Sequence, residues 1–175
     1  MGLRSFGSVY DWSRLSGYRS VAGDYPEGMI DLSVGSPVDS VPKRIMMALT
    51  DAADAPGYPK TAGSPELRTA MADWFLNCRG FDLREIDAVS LPTVGSKEAV
   101  ALMASLLGLG EGDVVVQPQV SYPTYEIGTQ LAGATVMKVA DVADVAAWSH
   151  QPGVRMVWVN SPSNPTGETL SIAQM

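Results

Sequence analysis

The 175-residue sequence is short of several things, and each shortage excludes a class of function. It holds one cysteine, Cys78, so neither a disulfide framework nor a cysteine-based metal site can be built from it. It holds one histidine, His150, in the run Trp148-Ser-His-Gln-Pro152, which reads as a surface loop. A histidine metal site or a Ser-His-Asp triad would rest on that residue alone. Basic residues number 12 against 19 acidic ones, a net charge of −7 with no basic run. Phosphate-backbone binding needs clustered Lys and Arg, so nucleic acid is excluded as a partner. No apolar stretch, residues 99–107 included, approaches the ~20 residues of a membrane span. Residues 1–10 carry no apolar core of a secretory leader, so a cytoplasmic, reducing compartment is expected. What is present is apolar material: 46% of residues, with only 18% charged, enough to fill a core and to exclude disorder.

The pattern along the chain changes near residue 88. Before it, the spacing predicts helices over 12–21, over 43–53 behind Pro42, and from Ser64-Pro65 to Gly80. The last of these carries an apolar stripe of Leu67, Met71, Trp74, Phe75 and Cys78. An extended run is expected over 29–33. After it, strands over 88–94, 113–117, 134–139 and 154–160 alternate with helices over 96–107 and 123–131. The all-apolar Val114-Val-Val116 fits a strand covered on both faces, and the alternation predicts an α/β fold with a parallel sheet. Ser171 opens a last helix that nothing terminates, so the sequence reads as the front part of a larger protein. Later strands would then be needed to cover apolar edges, and poor solubility is expected of these residues alone.

In open α/β sheets ligands bind beyond the carboxyl ends of strands, and three such ends here carry unusual residues. Thr93-Val-Gly-Ser-Lys-Glu98 turns from a strand into a helix, and the N–H groups of Ser96 and Lys97 can cradle a phosphate. Equally, Ser96 could simply cap the helix. The Walker pattern is absent. Ser121-Tyr-Pro-Thr-Tyr125 offers a ring that can lie against a planar heterocycle, though core packing is the commoner fate of such tyrosines. Asn160-Ser-Pro-Ser-Asn-Pro-Thr-Gly167 is a turn that can hold an amide in place, or an ordinary Asn-Pro turn.

Together these three segments resemble the front of a class I/II aminotransferase, the fold type I group that uses pyridoxal 5'-phosphate. Asp31-Leu-Ser-Val-Gly-Ser-Pro37 is similar to the family segment whose glycine, here Gly35, lies beside the substrate carboxylate. Tyr58, Gly63, Leu67 and Arg68 match the family's Tyr-x4-Gly-x3-Leu-Arg. The resemblance implies that Tyr58 reaches the neighbouring subunit's cofactor phosphate in a homodimer. It implies further that Gly95, Ser96 and Lys97 bind the phosphate, that Tyr122 stacks on the pyridine, and that Asn164 bonds its phenolic oxygen. The expected fold is the three-layer, mostly parallel sheet of the fold type I large domain, incomplete over 41–175. Residues 1–40 would belong to the small domain or dimer arm.

The three motifs look most like N-succinyldiaminopimelate aminotransferases, which implies transamination between an amino acid and a 2-oxo acid in lysine biosynthesis. One departure stands out. The lysines are Lys43, Lys60, Lys97 and Lys138, and none matches the family lysine that bonds the cofactor. No catalytic residue is therefore assigned within these 175 positions, and they are expected to be inactive by themselves. The alternatives are a non-catalytic cofactor- or phosphate-binding chain, a nucleotide-phosphate binder, and a related pyridoxal-phosphate carbon–sulfur lyase.

Overall fold

The structure, a computed structural model, describes Ser13 and residues 15–175. Residues 1–10 and the predicted helix start at Trp12 lie outside the described residues. The described chain falls into two compact units, one ending at Pro92 and one running from Thr93 to Met175.

The first unit holds helices α1 (Leu15–Gly23), α2 (Lys43–Asp51) and α3 (Pro65–Arg79), with a 3-10 turn at Leu83–Ile86. Helix α3 forms as its ends dictate. The Ser64 hydroxyl accepts the Leu67 N–H at 3.1 Å, Pro65 occupies the first turn, and Gly80 closes the helix in the left-handed region at φ 66°. Its predicted apolar stripe is only half covered: Met71 and Phe75 are half-buried, whereas Leu67, Trp74 and Cys78 are exposed. Segments 29–33 and 88–94 are not strands, contrary to their sequence pattern. An extended run becomes a strand only by pairing, and among the described residues neither has a partner.

The second unit is built on a three-stranded parallel sheet, order β2-β1-β3, of β1 (Val114–Pro118), β2 (Thr135–Val139) and β3 (Val154–Val157). Val115 pairs with Val136 on one side and Met156 on the other, so β1 is central, and its first four residues are buried. One sheet face packs Val116, Val139 and Val142 with Met137, Trp148, Val154 and Val157. The Trp148 indole N–H is satisfied by the Val142 carbonyl at 3.0 Å. Helix α5 (Thr124–Ala132) crosses over from β1 to β2 and packs on both, and α4 (Ser96–Leu106) packs on α5. The two helices meet closely because Gly128 has no side chain: a Cβ there would sit 2.6 Å from the Ala101 carbonyl oxygen. The last predicted helix is a 3-10 turn, Ile172–Gln174, with Ser171 and Gln174 forming a reciprocal capping box.

Candidate functional site

Connectivity decides which end of the second unit each predicted site residue occupies. Parallel strands share one carboxyl edge. Tyr122 lies four residues beyond β1, and the turn 160–167 follows the adjacent β3. Ser96 reaches the same end by way of the helix pair. Ala101 and Gly128 touch near the middles of α4 and α5, and Gly110, just past α4, lies against Ala132, the last residue of α5. The helices therefore run side by side in the same direction, and α4 starts at the same end as α5. Gly95, Ser96 and Lys97 therefore lie at the same end of the second unit as Tyr122 and Asn164, which follow the carboxyl ends of β1 and β3.

The start of α4 is open. Gly95 is its N-cap, with φ 88° and ψ 129°, a conformation that glycine adopts freely. No side chain caps the helix, in contrast to Ser64 on α3. Reading Ser96 as the cap is thereby corrected: it is the first helical residue, exposed, and its hydroxyl makes no capping bond. The first turn accordingly presents unsatisfied backbone N–H groups at the positive end of the helix dipole, beside the Ser96 hydroxyl and the exposed Lys97. Such a set takes an anion.

Tyr122 is half-buried, and its ring meets Tyr125 edge to face at 5.8 Å and 85°. Tyr125 in turn stacks on Trp158 at 4.4 Å and 16°. Core packing, the commoner fate of tyrosines in such a segment, is taken by Tyr125, while Tyr122 stays partly open. Burial, and then the neighbouring Tyr122, push the Tyr125 phenol above its ordinary range.

Asn164 is exposed, and its side-chain amide has no hydrogen-bond partner among the described residues. Its backbone is fixed by another residue. Asn160 Oδ1 accepts the Asn164 N–H at 2.8 Å, while Asn160 Nδ2 donates to the Pro162 carbonyl at 3.0 Å. Further bonds, from Ser163 N to the Glu168 carbonyl and from Gly167 N to the Ser163 carbonyl, close the turn. The Ser161–Pro162 and Asn164–Pro165 peptides are cis. Sequence reasoning singled out Asn164 and missed the service of Asn160. The signal was there in the second asparagine, four residues earlier at the strand end.

Gly35 and Tyr58 belong to the first unit. Gly35 is exposed in a loop whose start is organised by Asp31, which accepts the Ser33 N–H and pairs with Arg19 at 3.0 Å. Tyr58 is fully exposed. His150 lies exposed in a turn, as its sequence context indicates. Of the four lysines, Lys138 is held by Glu126 at 2.7 Å. Among the described residues no group of acidic, histidine and cysteine side chains could hold a metal ion, and no helix is long and apolar enough to cross a membrane.

Comparison with known proteins bears on the family and the fold. Residues 27–175 match the family model for aminotransferase class I and II. The chain is 42% identical over 164 residues to a probable aminotransferase of Mycobacterium tuberculosis, covering 94% of this chain and 38% of that protein. It is 40% identical over 166 residues to 4-dedimethylamino-4-oxo-anhydrotetracycline transaminase OxyQ of Streptomyces rimosus, covering 95% and 45%. Among solved structures, the N-succinyldiaminopimelate aminotransferase of M. tuberculosis superposes with a TM-score of 0.70 at 30% identity, over 93% of this chain and 43% of that one. The chain thus spans less than half the length of these relatives. An α/β unit with a parallel sheet and this match over most of the sequence place the chain in the class I and II aminotransferase family.

Proposed function

We propose that these residues form the coenzyme-gripping part of an enzyme that moves an amino group between an amino acid and a 2-oxo acid. Class I and II aminotransferases depend on pyridoxal 5'-phosphate. The observation that carries the reading is the shared end of the second unit, where an uncapped helix start, a half-buried tyrosine and a partnerless amide suit that coenzyme's anionic arm, ring face and phenolic oxygen. When bound, the coenzyme supplies an electron-accepting ring through which the amino group and a proton are transferred.

The chain's own residues bind and orient. Gly95, Ser96 and Lys97 hold the phosphate, with the helix dipole adding to the N–H groups. Tyr122 covers one face of the ring and excludes water from it. Asn164 donates its amide to the phenolic oxygen, which fixes the ring's rotation. Tyr58, exposed as a residue serving a second copy would be, reaches a neighbour's phosphate in a homodimer, and Gly35 makes room for the substrate carboxylate. No lysine here takes the covalent role, so the 175 residues bind the coenzyme without turning substrate over. We assign 41–175 to the coenzyme domain and 1–40 to a smaller arm.

For the whole protein, the substrate pair is N-succinyl-LL-2,6-diaminopimelate and 2-oxoglutarate. Its support is the motif likeness together with the 30% identity to an N-succinyldiaminopimelate aminotransferase. A second reading, amination of a ring ketone, is favoured by the 40% identity to OxyQ. Titration with pyridoxal 5'-phosphate, followed by visible absorbance, tests the binding claim. Saturable binding that is stronger than for pyridoxal without phosphate is expected. Absence of binding, or equal affinity for the two, would overturn it.

A further inference from the structure

The central strand β1 carries one side chain that does not suit its place. Its other residues are three valines and a proline, yet Gln117 is 2% exposed. Gln117 Nε2 donates to Ser121 Oγ at 3.1 Å, and Gln117 Oε1 is buried with no partner in the structure. A buried amide oxygen without a donor costs stability, whereas leucine at this position would bury similar volume at no such cost. Stability therefore does not account for Gln117.

Its one bond points to what does. Strand alternation puts Gln117 with Val115 on the face opposite Val116, the face of α5, Tyr125 and Trp158. Ser121 immediately precedes Tyr122. The backbone between β1 and α5 is tied by the Gln119 N–H on the Val139 carbonyl and the Tyr125 N–H on the Tyr122 carbonyl. The Gln117–Ser121 bond is the side-chain tether across this loop, spanning four residues from inside the sheet to the edge. We propose that Gln117 is a positioning residue, which spends its amide on Ser121 to set the height and tilt of the Tyr122 ring at the coenzyme site. This rests on the reading of Tyr122 as the stacking ring.

The test uses Gln117→Leu, Ser121→Ala and the double variant of the 175-residue chain. Gln117→Leu should melt at the same or a higher temperature while binding pyridoxal 5'-phosphate about 3- to 10-fold more weakly, the worth of one hydrogen bond. Ser121→Ala should lose a similar factor, and the double variant no more than either single one. The induced circular dichroism of the bound coenzyme should fall in all three. A lower melting temperature with unchanged affinity would make Gln117 merely structural and overturn the proposal, as would additive losses. Without coenzyme, the near-ultraviolet circular dichroism of the Tyr122–Tyr125 pair should change in both single variants. If the wild-type chain binds no coenzyme, the functional reading falls; the tether then stands on a near-ultraviolet change and falls without one.

Discussion

Replacing Asn160 by alanine separates a residue that holds the turn from one that uses it. Asn160 is half-buried and makes two hydrogen bonds, at 2.8 Å to the Asn164 N–H and at 3.0 Å to the Pro162 carbonyl. At about 0.5–1.5 kcal/mol each, their loss should cost about 1–3 kcal/mol of stability. Asn164 is exposed and its side chain bonds to nothing among the described residues, so Asn164→Ala should stay within about 0.5 kcal/mol. Coenzyme affinity should behave differently. Asn164→Ala removes the amide itself and Asn160→Ala lets it swing, so both should weaken pyridoxal 5'-phosphate about 10-fold, or about 1.4 kcal/mol. The double variant should bind no worse than Asn164→Ala, because Asn160 acts through Asn164. Asn160→Asp keeps the acceptor for the Asn164 N–H and should recover most of the affinity. Urea melts and coenzyme titrations of the four variants measure both quantities. Equal destabilisation by the two alanine variants, or full affinity in Asn160→Ala, would refute the division of labour.

Three further predictions follow from individual contacts. Ser64→Ala should destabilise by about 1 kcal/mol through the lost cap on Leu67, while Ser96→Ala leaves the melting curve in place and weakens inorganic phosphate and coenzyme alone. Gly128→Ala forces a Cβ to within 2.6 Å of the Ala101 carbonyl and should cost about 1–3 kcal/mol, read from the urea midpoint. Two bonds from Ser33, then the charge of Arg19, hold the Asp31 carboxyl below its ordinary range. Because its folded value is the lower one, its contribution is present above the ordinary carboxylate range and is lost as pH falls through the folded value. Ser33→Ala should therefore flatten the acid side of the stability profile, measured by thermal melts from neutral pH downward.

The second unit was legible because its elements carry their own signals. Val114-Val-Val116 between Gly112 and Pro118 admits little but a buried strand, and Pro123 and Gly133 bracket α5. The chemistry-bearing turns were legible for the same reason, since glycine and proline fix backbone conformations locally. What failed depended on partners. Segments 29–33 and 88–94 have strand patterns, but pairing belongs to the neighbour as much as to the segment. The stripe on α3 reads as a core face, yet exposure of Trp74 and Leu67 is decided by what packs there. Within the site, the sequence leaves Ser96 open between cap and ligand, and the structure resolves it by placing Gly95 at the cap position. Asn160 and Gln117 are not legible in the sequence because they act through hydrogen bonds to residues four positions away, which composition does not announce.

The central claim is that three separate turns meet on one ligand. Amide chemical-shift mapping of the isotopically labelled chain during titration with pyridoxal 5'-phosphate tests it most directly. Signals of Ser96, Tyr122 and Asn164 should shift together along one saturation curve, with Val136 and Met156 in the flanking strands unmoved. Shifts confined to one of the three turns, or following different curves, would contradict the account.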